Sequence, residues 1–367
     1  MKVAFLGLGR VFQHYLAIWD SVINDLPFHV DVTCVCDIDI SKFCIQHSSF
    51  VSAVRFNSVD SLVTDGDFDL CFVLTPSGLH FHHSQHILNS GRHVLTEKPA
   101  ALNSYEISKL AAFAEAQSLH YGCIFQNRLN PAISFAHSLL SSNAIGKIRL
   151  VDISLLWSRK PEYYQDEWHG TWSLDGGVIC QQAIHHIDAS QYLLGNISDV
   201  CSFASNLFHD MEAEDTHLAL LKYTDGTVGT FKATTSLGPV DHEASLSVYG
   251  SNGTIQISGV GLNQLRRVLV GQCEYTHDEL QSHSQQIPNG YGLSHIPFLK
   301  NTMINISSNH LRPLVPNSDS FSVVSVIQSL YRSSLTDPAV LSDQKWVKVD
   351  PCYNFELLGS PANGNSK

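Results

Sequence analysis

Apolar and polar positions follow two different rhythms along this chain. Up to residue 125, short unbroken apolar runs are separated by stretches with helical spacing. Residues 2–7 predict a strand running into a glycine turn, residues 10–24 a helix, and residues 30–36 a second strand ending at Asp37. Helical signals at 41–48 and a short strand near Val54 follow, then a buried strand at 69–75 closed by Pro76. A helix at 80–89 stopped by Gly91, a strand at 93–96, an Ala-rich helix at 104–118 and a strand at 120–125 complete the series. Strands buried on both faces read as continuous apolar runs, and their alternation with helices predicts a doubly wound parallel sheet.

Past residue 125 the rhythm changes. A helix near 131–142 leads into a long alternating strand at 147–157, and residues 176–194 read as a loop followed by a helix. Five strand-like runs come next, at 200–208, 216–223, 227–235, 244–249 and 254–258, separated by turns such as Thr224-Asp225-Gly226 and Ser251-Asn252-Gly253. Period-two alternation with tight turns predicts a large, open, mostly antiparallel sheet, so the second domain is α+β. Helical patterns return at 295–308 and 318–334. The change of rhythm divides the chain into 1–125, 126–358 and a disordered tail at 359–367. More strand than one helix layer can cover predicts an apolar sheet face for another copy, a homodimer or homotetramer.

Composition narrows the class of protein. A length of 367 residues exceeds what one core usually organises. A formal charge of −12, with no basic run, argues against nucleic-acid binding. The nine cysteines are scattered, and Cys34 and Cys36 sit in an apolar run as small hydrophobes, which fits a reducing compartment. No run approaches the length of a membrane span, and the first residues lack a signal-peptide layout, so a cytoplasmic location is expected.

Four places along the chain carry chemistry. Gly7-Leu8-Gly9 joins a strand to a helix, where glycines let a pyrophosphate approach the backbone at the helix N-terminus. Phe12 occupies the third position of that fingerprint, where Gly or Ala is usual. Asp37 ends the second strand, where a carboxylate can hold both ribose hydroxyls of NAD and repel the 2′-phosphate of NADP, or serve as a helix cap. In His93-Val94-Leu95-Thr96-Glu97-Lys98-Pro99-Ala100, Pro99 biases Lys98 toward an extended backbone at a strand's carboxyl end, where ligands of parallel sheets collect. Read as one helix, residues 181–195 put Gln181, His185, Asp188 and Tyr192 on one face, which suits a general base and its orienting partners. His186 points about 100° away and is the weaker base. Adjacent histidines diverge on a helix, so no metal is expected there, and His80, His82, His83 and His86 read as a polar helix face with at most His80 near a cofactor.

Together, Gly7-Leu8-Gly9-Arg10, Asp37, Thr75-Pro76-Ser77-Gly78-Leu79-His80, Glu97-Lys98-Pro99 and His185 make the chain resemble the Gfo/Idh/MocA oxidoreductases from residue 1 to about 335. Asn127-Arg128-Leu129-Asn130-Pro131, Tyr163-Tyr164, Gly170-Thr171-Trp172 and Gln182 with His185 resemble, more narrowly, the UDP-N-acetylglucosaminuronate 3-dehydrogenases of bacterial surface-glycan pathways. The resemblance implies an N-terminal Rossmann domain that binds NAD and a C-terminal domain whose open sheet is an oligomer face. It implies NAD-dependent oxidation of a secondary hydroxyl, at C3, of a UDP-linked sugar acid, with Lys98 and His185 as the catalytic pair supported by Gln181 and Asp188. By the same resemblance, Gly7, Gly9, Arg10, Val11, Phe12, Asp37, Ile38, Thr75, Pro76, His80, Glu97, Lys98 and Gln126 contact the cofactor. Asn127, Arg128, Tyr164, Trp172, Gln182 and His185 face the substrate, with Arg159 as a further anion contact. The chain departs from the pattern at three further places: Gln181 where many members have Asp, Ala183 for the usual Gly, and His169 where the branch commonly has Arg. A dehydrogenase of a free sugar or polyol, and a non-catalytic NAD-binding sensor of the same fold, are the alternatives.

Overall fold

The computed structural model describes residues 1–334 and 346–349. The tail expected at 359–367 lies outside the described residues, as does the end of the expected second domain at 350–358. The chain divides into two compact units, Met1–Ile124 with Ser294–Phe321, and Phe125–Leu293 with the chain from Ser322 onward.

The first unit is built on six parallel strands: β1 Lys2–Leu6, β2 Asp31–Cys36, β3 Val54–Phe56, β4 Leu70–Val73, β5 His93–Thr96 and β6 Tyr121–Cys123. Their order is β3-β2-β1-β4-β5-β6, so the direction of winding reverses between β1 and β4. Such a reversal opens a crevice beyond the strand ends, because the following helices leave to opposite faces. Three bonds carry the ladder past those ends: Gly7 N to Cys36 O at 2.8 Å, Leu74 N to Leu6 O at 2.7 Å and Glu97 N to Val73 O at 2.9 Å. The residues that follow β1, β4 and β5 are therefore stitched side by side.

Helices α1 Arg10–Ile23, α2 Val59–Asp65, α3 His80–Asn89 and α4 Ser104–Ala116 cover the sheet. In α1 the buried Phe12, Tyr15, Trp19 and Val22 recur at helical spacing. They close on Phe5 of β1, whose ring lies 5.5 Å from Phe12, 5.1 Å from Trp19, 5.2 Å from Phe50 and 4.7 Å from Phe72. Helix α2 was not signalled by the sequence reading; Ser58 starts it by accepting from Ser61 N at 3.2 Å. The helix expected at 41–48 does not form. Two 3-10 turns, Ile40–Phe43 and Ser48–Phe50, stand there instead. The side chains of Asp39 and His47 cap these turns locally, and such bonds compete with a continuous helix. Ser294–Phe321 returns to this unit as the helix His295–Ser307, which packs on α1 and carries Lys300 to Asp25 at 2.7 Å.

The described residues of the second unit form a nine-stranded sheet. Its strands are β7 Ile148–Leu156, β8 Ile197–Ser205, β9 Thr216–Tyr223, β10 Val228–Thr234, β11 Glu243–Gly250, β12 Gly253–Ser258, β13 Gln264–Val270, β14 Cys273–Glu274 and β15 Val347–Lys348. The order is β14-β13-β12-β11-β7-β10-β9-β8-β15, antiparallel except where β10 pairs with β7. Helices α5 Pro131–Ser141, α6 Val178–Gln181 and α7 Ile184–Leu194 belong to this unit. The single helix expected from residue 181 is instead broken at Gln182–Ala183, where Ala183 N bonds back to Val178 O at 2.9 Å, one residue too far for an α-helix. The opposite sheet face keeps large apolar side chains in the open: Phe203 is paired with Leu218, and Val228 with Leu150, all at least 44% exposed, and Leu220 is 50% exposed. Among the described residues, no helix is long and apolar enough to cross a membrane.

The ring cluster around Phe5 makes a direct prediction. Phe5 is fully buried, and Phe5→Ala should destabilise the first unit by about 3–5 kcal/mol, read as a lower urea midpoint, because the surrounding rings cannot collapse into the space.

Candidate active site

The first unit presents a nucleotide-binding end. Gly7 follows β1 with φ of +94°, and a Cβ there would stand 2.8 Å from the backbone of Leu74 and Thr75, so only glycine lets the ends of β1 and β4 approach. Gly9 is the N-cap of α1 and makes no side-chain cap; a Cβ added there meets no atom within 4 Å. The first N–H groups of a fourteen-residue helix thus open onto a side with room for a phosphate, and its first turn holds no acidic residue. Arg10 is exposed and Val11 half-buried on that turn. Phe12 is fully buried against Phe5 and Phe50, so it fills the space that a glycine at this position would otherwise leave to close helix–strand contact.

Asp37 ends β2 almost completely buried and accepts from Leu8 N at 2.7 Å and Asp39 N at 2.9 Å. Lys42 Nζ lies 3.3 Å from both of its carboxylate oxygens, a contact the sequence reading missed. Ile38 beside it is 89% exposed. At the end of β4, Pro76 precedes the 3-10 turn Ser77–Leu79. His80 joins Thr75 O and Pro99 O, each at 2.7 Å, which fastens the end of β4 to the chain after β5. Burial lowers the pKa of His80 against the pull of those two carbonyls. Thr75 Oγ1 bonds His83 Nδ1 at 2.9 Å, while His82 and His86 are exposed.

Glu97 is buried one residue past β5. It accepts from Tyr15 OH at 2.9 Å and from its neighbour Lys98 N at 3.2 Å, and His295 Nε2 lies at 3.5 Å. Burial pushes its carboxyl up, but His295, Lys98 and Tyr15 outweigh that and hold it at about 2. Lys98 follows, half-buried, with its backbone fixed by this anionic anchor.

The second unit holds the remaining site residues. Gln126, Asn127 and Arg128 are buried in the 3-10 turn Gln126–Leu129. Arg128, expected to face substrate, grips Asp188, with Nε at 3.1 and 3.0 Å from the two oxygens and Nη2 at 2.6 Å. Its guanidinium lies 4.8 Å over the Tyr192 ring. The physical reason is burial: Asp188 has no exposed surface, and a carboxylate taken out of water needs a cation. Asp188 therefore ties α7 to the 126–129 turn. Gln181 donates to Asp175 at 2.6 Å. Asp175 also accepts from Gly170 N at 2.7 Å, so Gln181 braces the loop that carries Trp172. His185 is half-buried, edge-on to Phe125 at 6.1 Å, while His186 is buried. Neither His186 ring nitrogen has a hydrogen-bond partner among the described residues, nor do Gln182 Nε2 and Gln126 Oε1.

Around Tyr164 the chain forms an aromatic wall. Tyr164 OH meets Thr235 Oγ1 at 2.9 Å, and its ring lies 4.6 Å from His209 and 4.9 Å from Tyr163. His169, in place of the branch's usual Arg, bonds Asp166 at 2.5 Å, and its ring lies tilted 3.6 Å from that of Trp168. Arg159 bonds Asp241 at 3.3 Å and lies over Trp157 and Tyr163. Glu214 is a further buried acid with no sequence signal. It accepts from Ile179 N and Tyr331 OH at the start of α6, and burial pushes it up to about 8.

Two family models match the chain. One, described as an oxidoreductase family with an NAD-binding Rossmann fold (GFO/IDH/MocA), covers residues 1–125, and the GFO/IDH/MocA C-terminal domain covers residues 133–256. The 1-carboxy-3-chloro-3,4-dihydroxycyclohexa-1,5-diene dehydrogenase of Comamonas testosteroni is 25% identical over 232 residues, 62% of this chain and 56% of that protein. Levoglucosan dehydrogenase of Pseudarthrobacter phenanthrenivorans is 23% identical over 221 residues, 53% of this chain and 56% of its own length. The chain thus spans little more than half the length of these curated relatives. In fold, it is similar to the WlbA dehydrogenase from Bordetella pertussis, solved with NADH and UDP-GlcNAcA, at a TM-score of 0.81 and 23% identity over 95% of this chain and 97% of that one.

The buried histidines predict acid lability. Burial first of all holds His14, His83, His120 and His186 at about 4. The unfolded imidazole takes its proton near 6.5 while the native ring stays neutral, so stability present above pH 6.5 is lost as pH falls toward 4. Urea titrations at pH 7 and pH 5 should show His186→Leu losing about 2 kcal/mol less than the parent chain over that interval. An equal loss would mean that His186 is already charged in the native state.

Proposed function

The chain belongs to the Gfo/Idh/MocA family of oxidoreductases, with an NAD-binding Rossmann domain, and from that premise we propose that it oxidises a secondary hydroxyl, at C3, of a UDP-linked sugar acid such as UDP-N-acetylglucosaminuronate. The observation that carries this reading is the likeness in fold, over 95% of the chain, to a dehydrogenase solved with NADH and UDP-GlcNAcA. The Asn127-Arg128, Tyr163-Tyr164 and Gly170-Thr171-Trp172 elements support the same substrate class. Its place is a cytoplasmic one, in the making of sugars for bacterial surface polysaccharides. The match to levoglucosan dehydrogenase favours a second reading, oxidation of a free sugar. Presence of both Lys98 and His185 weighs against a non-catalytic sensor.

The residues of the first unit fit a dinucleotide: the open side of Gly9, the uncapped start of α1, and Asp37 at the end of β2. When bound, the nicotinamide supplies the hydride acceptor. In this proposal the Lys98 ammonium hydrogen-bonds the reacting hydroxyl and stabilises negative charge growing on its oxygen, and His185 accepts the proton. Asp188 and Gln181 support the imidazole of His185, which also lies edge-on to the Phe125 ring. Arg128 lines the substrate side from the turn that carries Asn127, which its bond to Asp188 holds in place. Asn127, Tyr164, Trp172 and Gln182 bind the sugar and its acidic group, with Arg159 flanking Tyr163.

Assay of NADH absorbance with UDP-N-acetylglucosaminuronate, levoglucosan and inositol separates the readings; faster turnover of a free sugar would displace the nucleotide-sugar assignment. Lys98→Ala and His185→Ala should each lower kcat by ~10²–10⁴-fold while changing NAD affinity far less. The double variant should lose much less than the product, because groups in one proton-transfer network are not additive. Full activity in His185→Ala with loss in His186→Ala would move the base by one position.

The exposed row of Phe203, Leu218, Leu220, Leu150 and Val228 supports a homodimer or homotetramer formed through the open sheet face. Light scattering should give at least twice the chain mass, and Leu218→Glu with Leu220→Glu should shift it toward the monomer. A monomeric parent chain at micromolar concentration would reject this.

A further inference from the structure

We propose that Lys42 is a specificity-determining residue that admits the 2′-phosphate of NADP, so that this chain separates the two nicotinamide cofactors far less than Asp37 alone would dictate. The inference rests on the nicotinamide-binding unit and not on the sugar substrate proposed above.

A carboxylate at the end of β2 excludes NADP because the 2′-phosphate would bring negative charge against negative charge. That argument holds for a bare carboxylate, and Asp37 is not bare. Two backbone donors, Leu8 N and Asp39 N, each take one of its oxygens. Lys42 Nζ stands 3.3 Å from both oxygens, centred on the carboxylate. The Asp37 side chain is 6% exposed and that of Lys42 is 39% exposed, so the ammonium covers the carboxylate on the solvent side. A ribose arriving there meets a cation first.

The backbone under Lys42 is held, while its side chain is not enclosed. Asp39 accepts from Ser41 N at 3.0 Å and Ser41 Oγ at 2.6 Å, and Lys42 N bonds Asp39 O at 3.1 Å. These bonds set the 3-10 turn Ile40–Phe43 and commit the Asp39 carboxylate to it. The Arg55 guanidinium is committed in turn to Phe43 O and Ala53 O. Lys42 is left facing Asp37 with three donors on a flexible stem, enough to bridge a carboxylate and a phosphate oxygen together. With NAD, the ribose hydroxyls must compete with Lys42 for Asp37; with NADP, the same ammonium becomes a partner.

Calorimetric titration of the full chain with NAD and with NADP, at low and at moderate salt, tests this. The parent chain should bind NADP within about tenfold of NAD, and Lys42→Ala should raise the NAD-to-NADP affinity ratio by roughly tenfold, the weight of one charge-assisted hydrogen bond. Lys42→Arg, which keeps the charge, should hold the ratio near that of the parent. Added salt should weaken NADP more than NAD in the parent and lose that difference in Lys42→Ala. An unchanged ratio in Lys42→Ala, or a parent chain that binds NAD but not NADP at millimolar concentration, overturns the proposal. These titrations read cofactor alone, so a chain that oxidises no nucleotide sugar leaves their result standing.

Discussion

The first unit depends on how closely its strand ends approach where the winding reverses. At Gly7 the backbone of β1 passes so near Leu74 and Thr75 that any side chain would strike main-chain atoms. Because no Cβ intervenes, the ladder continues beyond β1, β4 and β5, and Asp37, Thr75 and Glu97 are held beside one another at the strands' carboxyl ends. The Phe5 ring cluster then makes this approach rigid from below. A cofactor-binding end follows from this one close contact, with the helix start, the carboxylate and the lysine strand each fixed relative to it.

Away from that end, the structure is governed by what becomes of charge taken out of water. Asp188 is matched by Arg128, Glu97 by a tyrosine hydroxyl and a histidine, and Asp37 by two backbone donors and a lysine. Among the described residues Glu214 is met by donors and, at 4.0 Å, by His217, which burial keeps neutral; burial moves Glu214 to about 8, so that it keeps its proton near neutrality. The contrast follows physical expectation: a buried acid either acquires a cation and enough donors, or gives up its charge.

Much of the architecture was legible in the sequence because burial leaves periodic traces. The short apolar runs of β1, β4 and β5, and the alternation through β7 to β12, reported their own sheets, and the glycines at 7 and 9 their own turn. Local competition blurred the rest. Asp39 and His47 each cap a backbone N–H two positions on, so a helical composition yields two tight turns. The break at Gln182–Ala183 has no breaker residue to announce it and arises where α6 is held at its start by Glu214. Lys98 and His185 could be picked out as candidates from short motifs. Their surroundings could not, because Arg128 meets Asp188 across 60 residues and Glu97 meets a histidine at 295, pairings that exist only once the chain has closed.

The segment Ser294–Phe321 gives the first unit a biography as well as a shape. A ribosome delivers all six parallel strands early, yet the helix that packs on α1 and the histidine facing Glu97 emerge only after β7 to β14 have been made. Until then a nascent chain carries its Rossmann strands with one helix face uncovered and its buried acid short of a partner. The nucleotide-binding half is therefore begun first and finished late, and the order of synthesis leaves a long interval in which that face is available to a chaperone.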